Sequence, residues 1–207
     1  MITHEKFWDR IADKYASRPI KNEDAYQQTL ARTRSYLSRS DRVLEVGCGT
    51  GSTALLLADA VDQIVATDIS ANMISIAQGK ARADGVDNAA FRTMDLQAAA
   101  DPDAPFDVVM ALNLLHLTED LDGALTNLHR QVREGGLLIS KTVCMAEMGR
   151  FWRLVLPVMQ MLGKAPFVRF LTIPELEQAI ERAGFQIIET GNYPVSPPNR
   201  YVVARKI

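Results

Sequence analysis

The sequence predicts an α/β fold, a mostly parallel sheet covered by helices on both faces. Three observations predict it. Strand-like apolar runs alternate with helix-like patterns, and the connections between them are short. The run Arg42 to Val46 reads as a buried strand that ends in a turn with glycine at Gly47, Gly49 and Gly51, from which a helix should start. An acid, Asp68, closes the next apolar run. With 207 residues and 47% hydrophobic content the chain can bury one substantial core, so a single domain with lids is expected over 1–207.

The elements follow in order. Phe7, Trp8, Ile11 and Tyr15 recur at helical spacing and predict an aromatic-rich amphipathic helix over 3–17. A second helix is expected over 22–38, which makes 1–40 a helical lid in front of a core at 41–143. Strands are expected at 42–47, 63–68, 89–94, 106–112, 137–143, 185–191 and 200–205, with helices in most gaps. Thr172, Pro174 and Glu175 form a capping-box signature, so a helix should run from 173 to about Ala183 and stop at Gly184. The last two strand-like runs are joined by a stretch with Pro194, Pro197 and Pro198, too short for a helical crossover, so 173–207 reads as a helix and an antiparallel hairpin.

The insertion at 144–172 has a different character. Arg150, Arg153, Lys164 and Arg169 interleave with Phe151, Trp152, Leu154, Val158, Met161 and other apolar residues. Such an apolar and basic cover suits a wall of a substrate pocket, a homodimer interface or peripheral membrane contact through 150–170, or else a helix packed on the core whose basic residues reach solvent. The formal charge of −2 and a pI near 5.9 leave no electrostatic footprint for nucleic acid. Two cysteines support neither a disulfide framework nor a thiolate metal site, and a reducing cytoplasm is expected. The N-terminal residues do not read as a signal peptide, and no run approaches the roughly 18 apolar residues of a spanning helix.

The glycine turn and the acid after it describe a nucleoside-cofactor site, because a carboxylate about 20 residues beyond such a loop can accept both hydroxyls of a ribose. The dinucleotide spacing G-x-G-x-x-G would need glycine at Ser52, whereas the spacing here is G-x-G-x-G. Glu45, just before the loop, would repel a diphosphate and suits a cation, such as the ammonium and sulfonium of S-adenosylmethionine. Glu45 to Gly51 resembles the E-x-G-x-G-x-G loop of class I S-adenosylmethionine-dependent methyltransferases, with Cys48 at a variable position.

Four further blocks extend the resemblance over 41–143. Ala66 to Ser70 with Asn72 and Met73 is similar to the family's second-strand segment, which implies that Asp68 holds the ribose and that Ile69 and Met73 flank the adenine. Phe91 to Leu96 is similar to the third-strand end, which implies Asp95 and Leu96 at the adenine. Phe106 to His116 resembles the fourth strand and its loop, which places Asn113 and Leu114 nearest the methyl. Val132 to Ser140 resembles the family's helix, glycine turn and fifth strand. The implied architecture is a Rossmann-like three-layer sandwich whose seven-stranded, mostly parallel sheet is closed by an antiparallel C-terminal hairpin strand. The implied activity is in-line methyl transfer to a small-molecule acceptor, with a hydrophobic, lipid-like or quinone-like one suggested by the insertion.

Local readings stand beside these roles. Asp68 could cap the next helix, and Asp95 could open a turn. His116 could serve as a general base or order its loop, and Tyr15 could contact the acceptor or pack. No metal is expected, because histidines and carboxylates lack the spacing of zinc or calcium ligands. An NAD(P)-dependent oxidoreductase and a non-catalytic S-adenosylmethionine-binding regulator remain the alternatives.

Overall fold

The computed structural model describes residues 3–97, 100–149 and 151–207; Arg150, one of the insertion's four cations, lies outside them. Seven strands form one sheet in the order β3-β2-β1-β4-β5-β7-β6. They are β1 (Arg42–Val46), β2 (Gln63–Asp68), β3 (Ala89–Thr93), β4 (Phe106–Leu112), β5 (Val132–Val143), β6 (Phe185–Asn192) and β7 (Asn199–Lys206). All neighbours from β3 to β5 are parallel, while β7 runs antiparallel to both β5 and β6.

The α-helices among the described residues are α1 (His4–Ala16), α2 (Glu23–Arg34), α3 (Ser52–Leu57), α4 (Ala71–Asp84), α5 (Leu121–Gln131), α6 (Phe151–Met161) and α7 (Ile173–Arg182). Alternation along each strand divides the core in two. Leu44 and Val46 of β1 meet Leu125, Leu128, Leu176 and Ile180 from α5 and α7. Val43 points the other way, to Leu30, Leu57 and Ile74 from α2, α3 and α4. Both faces of the sheet are therefore covered, which is why its inner strands are apolar on consecutive residues.

Local signals hold where they are strong. The capping box at Thr172 forms, with the Glu175 amide donating to Thr172 Oγ1 at 3.3 Å and the Thr172 amide donating to Glu175 Oε2 at 2.8 Å. Two expectations need correction. The second helix stops at Arg34, short of Ser38, and Asp41 takes the Ser38 amide at 2.8 Å in a turn before β1. The fifth strand begins at Val132, directly after α5, and its pairing with β4 slips between Phe106 and Val108. Gly135, with φ 70°, lies in that irregular stretch, and a Cβ on Gly136 would sit 2.7 Å from the Asp107 carbonyl.

One buried charge lies under α2. Lys141 is 6% exposed, and among the described residues its ammonium has a single partner, Thr29 Oγ1 at 2.9 Å, and no carboxylate. Burial lowers its pKa. The penalty for holding it charged is therefore full below the native pKa and fades as pH rises through it toward the unfolded value of 10.5. Lys141→Met is expected to stabilise the fold by about 1 kcal/mol at neutral pH, a rise of roughly 2–4 °C, and to remove the gain at alkaline pH. Thermal melts of both proteins from neutral to alkaline pH check this; equal melting temperatures throughout would contradict it.

Candidate functional site

Strand order decides where a ligand can sit. β1 has β2 on one side and β4 on the other, so the chain leaves β1 in one direction and returns on the opposite side, opening a crevice at the strands' C-terminal ends. A cavity of about 970 Å3 occupies that place. It brings together Glu45, Gly47, Cys48, Gly49, Asp68, Ile69, Met73, Asp95, Leu96, Asn113, Leu114 and Tyr15.

The glycine turn is shaped by positive φ at Gly47 (70°), Gly49 (55°) and Gly51 (75°). Their surroundings differ. A Cβ on Gly49 would meet only Tyr15 Cε1, at 3.6 Å, so that position keeps the turn open toward the cavity. A Cβ on Gly51 would lie 2.6 Å from Phe91 Cε1 and 2.7 Å from Ala77 Cβ. The missing Cβ at Gly51 lets the turn pack against α4 and β3.

Asp68 joins the turn to the second strand. Its Oδ2 accepts from the Gly49 amide and its Oδ1 from the Ser70 amide, both at 2.9 Å. Ser70, not Asp68, caps α4, accepting from the Met73 amide at 3.1 Å. Burial raises the Asp68 pKa, the two amides oppose that, and Asp9 adds to it. Asp95 is exposed and accepts from the Gln97 amide at 2.9 Å, so it opens a turn and also faces the cavity.

Glu45 is 2% exposed. Burial pushes its carboxyl up to about 8, with the Ala54 amide at the start of α3 pulling down and Asp68 pushing up. Its Oε2 is buried with no hydrogen-bond partner. Glu45 also lines the cavity, and a buried carboxyl oxygen without a hydrogen-bond partner is costly unless a ligand supplies a donor. Burial also raises the Cys48 thiol, with Glu45 and Asp68 adding to it, so the thiol stays protonated. At the opposite wall Asn113 holds φ 57°, a left-handed conformation that asparagine tolerates better than most residues, and its amide donates to the Lys141 carbonyl at 2.7 Å.

The N-terminal helices form the outer wall. Asp9 ties α1 to the start of α4, with Oδ1 accepting from Ser70 Oγ at 2.6 Å and from the Asn72 amide at 3.1 Å. Tyr15 packs edge-on to Trp8 at 6.3 Å beside Gly49, and partial burial together with Asp68 and Glu45 raises its hydroxyl pKa. His116 is placed elsewhere. It lies buried in the short 3₁₀ turn Leu115–Leu117, outside the cavity lining, with Nδ1 unpartnered and its carbonyl accepting from the Arg169 amide at 2.7 Å. Burial pushes its pKa down to about 4, too low for an efficient base at neutral pH. Burial and a lowered pKa thus favour the loop-ordering reading of His116 over that of a general base.

Several lining residues were invisible to motif reasoning. Lys80 on α4 reaches back to Thr50 Oγ1 and Ser52 Oγ, each at 3.0 Å. Trp8, Ile20, Tyr26 and Leu117 supply apolar wall, and Arg18 and Lys21 supply charge, much of it from the short link between α1 and α2. The only available signal was the pair of basic residues beside Pro19 between two helical patterns.

This fold with a carboxylate, a glycine turn and a second carboxylate around one crevice defines a nucleoside-cofactor protein of the methyltransferase type. The family description "Methyltransferase domain" matches residues 19–190, and the chain belongs to that family, the class I S-adenosylmethionine-dependent methyltransferases. It is 28% identical over 154 residues to a ubiquinone biosynthesis O-methyltransferase of Sinorhizobium fredii, a match covering 72% of this chain and 61% of that one. It is 38% identical over 104 residues to the 27-O-demethylrifamycin SV methyltransferase of Amycolatopsis mediterranei, covering 49% of this chain and 38% of that one. The match thus spans less than two thirds of either relative. The methyltransferase solved with the Haloferax volcanii Trm112 activator shares the fold, with a TM-score of 0.79, 16% identity and coverage of 99% of each chain.

Proposed function

We propose that this chain transfers the methyl group of S-adenosylmethionine to a small acceptor with an apolar body. The observation that carries the reading is the buried Glu45 carboxyl, which has an unpartnered oxygen and lines the same cavity as the open glycine turn and Asp68. A diphosphate brings no donor for that oxygen, whereas a methionyl ammonium would supply one and favour the ionised carboxyl. The residues present therefore fit the group. Glu45 would take the ammonium, Asp68 the ribose hydroxyls and Asp95 the adenine amine, while Ile69, Met73 and Leu96 would flank the base.

Bound cofactor supplies a methyl on a sulfonium, with a neutral thioether as leaving group. The protein's task is placement and exclusion of water. Leu112, Leu114 and Leu117 wall the crevice beside Asn113 with apolar surface, and Trp8, Ile20 and Tyr26 continue that surface toward the mouth. This lining supports an aromatic or aliphatic acceptor, and Arg18 and Lys21 at the wall suit an acidic group on it. A quinone-like or lipid-like acceptor agrees with that lining and with the S. fredii relative's printed role in ubiquinone biosynthesis. The protonated Tyr15 hydroxyl can donate to the acceptor or the cofactor carboxylate.

Calorimetric titration with S-adenosylmethionine, S-adenosylhomocysteine and NAD tests the reading. Micromolar binding of the first two is expected, without binding of NAD. Asp95→Ala should weaken it by about tenfold or more, the worth of a charge-assisted hydrogen bond. Asp68→Ala is a poorer probe, because Asp68 also holds the Gly49 and Ser70 amides. Binding of NAD alone, or of none of the three, would overturn the assignment.

A further inference from the structure

α6 is the anomaly of the fold. Leu156 is its one buried residue, while Phe151, Leu154, Val158, Met161 and Leu162 are each 52% to 80% exposed. The five recur at spacings of three, four, three and one, so they share one outward stripe. The helix is nevertheless firmly placed. The Arg10 guanidinium donates to the Gly163 carbonyl just past its end, Gln160 Nε2 donates to the Pro166 carbonyl at 2.9 Å, and Arg169 holds the Thr118 and Glu119 carbonyls.

Charge identifies what such a face would meet. Between Glu147 and Glu175 the chain carries Arg150, Arg153, Lys164 and Arg169 and no acid, in a protein of net charge −2. Lys164 is exposed and, among the described residues, has no side-chain partner, and Arg153 stacks on the Phe170 ring at 5.7 Å within the field of Glu175. Glu175 itself is turned into the capping box of α7.

The geometry points to α6 as a docking element for an anionic lipid bilayer, its apolar stripe entering the headgroup boundary while Arg153 and Lys164 meet lipid phosphates. A second copy of the chain fits less well on two counts. A two-fold interface would set this basic segment against itself with no acid to pair. A helix of 11 residues is also only about 16 Å long, and its face offers far less than the roughly 800 Å2 per partner of a stable interface. Among the described residues no helix is long and apolar enough to cross a membrane, so the contact is peripheral. His4, which lines the cavity, packs on Phe167 of the same insertion at 6.1 Å, so the docking face lies beside the crevice where an amphiphile would enter.

Sedimentation with vesicles of phosphatidylcholine alone, or with about one third phosphatidylglycerol, tests the surface without needing an acceptor. The protein is expected to pellet with the anionic vesicles, and less so as salt rises. A Leu154→Glu/Val158→Glu double variant should lose that partitioning by about tenfold or more, and Arg153→Gln/Lys164→Gln should lose the dependence on anionic lipid. S-adenosylhomocysteine titration and light scattering run on the same samples report fold and oligomeric state, so failure here is distinguishable from failure of the cofactor assignment. No partitioning of the unaltered protein, equal partitioning of the Leu154/Val158 variant, or a dimer that this variant splits would each overturn the proposal.

Discussion

Affinity for S-adenosylmethionine is expected to rise about tenfold between pH 6 and pH 7 and to level off near pH 8. The cause is Glu45. With its pKa near 8 in the ligand-free protein, the carboxyl is mostly protonated at pH 6, and its ionised fraction grows about tenfold per unit of pH until the pKa is reached. The ligand's α-amino group, with a typical pKa of about 7.7–8.0, loses its proton beyond that point and ends the rise. An ammonium against Glu45 favours the carboxylate, so binding near pH 6.5 should release about one proton. Calorimetry in two buffers of different ionisation enthalpy reads that release directly. Glu45→Gln should flatten the pH slope and abolish the release; a slope and proton count unchanged by Glu45→Gln would show that Glu45 does not meet the ammonium.

The same shift has a consequence for the ligand-free fold. A carboxyl whose folded pKa lies above its unfolded value contributes stability that is full below about 4.5 and is lost as pH rises through about 8. The empty protein should therefore weaken over that interval, and bound cofactor should offset the loss by pairing the charge.

Gly51→Ala is expected to cost about 3 kcal/mol, roughly 10 °C in melting temperature. At φ 75° a side chain adds about 1–2 kcal/mol of backbone strain. The new methyl would also press on Phe91 Cε1 at 2.6 Å and Ala77 Cβ at 2.7 Å, and overpacking of this kind typically costs about 1–3 kcal/mol. Ala77 is fixed to the α4 backbone and cannot swing aside. Gly49→Ala provides the contrast. Its nearest neighbour would be Tyr15 Cε1 at 3.6 Å, so stability should fall by only about 1 kcal/mol while S-adenosylhomocysteine binding weakens, because the methyl enters the cavity. Denaturation and titration of both variants separate the two roles; equal melting temperatures would sink the distinction.

Much of the fold was legible because its signals are short-range. Branched apolar runs marked every strand to within a few residues except β5, whose early start at Val132 depends on a slipped pairing with β4. Thr172, Pro174 and Glu175 announced α7 because a capping box is closed by atoms three residues apart. Most of the crevice was legible too, since the loop after β1 and the acids after β2 and β3 converge wherever those strands are parallel neighbours. The burial of His116 was not legible, because proximity in sequence to Asn113 says nothing of which way a 3₁₀ turn points. The packing of Gly51 against Phe91 was not legible either, because spacing alone does not tell what a glycine's missing Cβ makes room for.

The sequence by itself determined the alternation of strands and helices, the turn chemistry at Gly47 to Gly51, the sign of charge along 148–174 and the apolar period of α6. Each of these follows from backbone preference and side-chain character over a few neighbouring residues. Tertiary structure alone decided the rest. Lys80 reaches Ser52, Tyr15 lies beside Gly49, Lys141 ends up under Thr29, and the stripe of α6 is left exposed. It also decided that Glu45 is raised to about 8 while His116 is lowered to about 4. Desolvation and long-range contact depend on which distant segments pack together, and no local pattern records that.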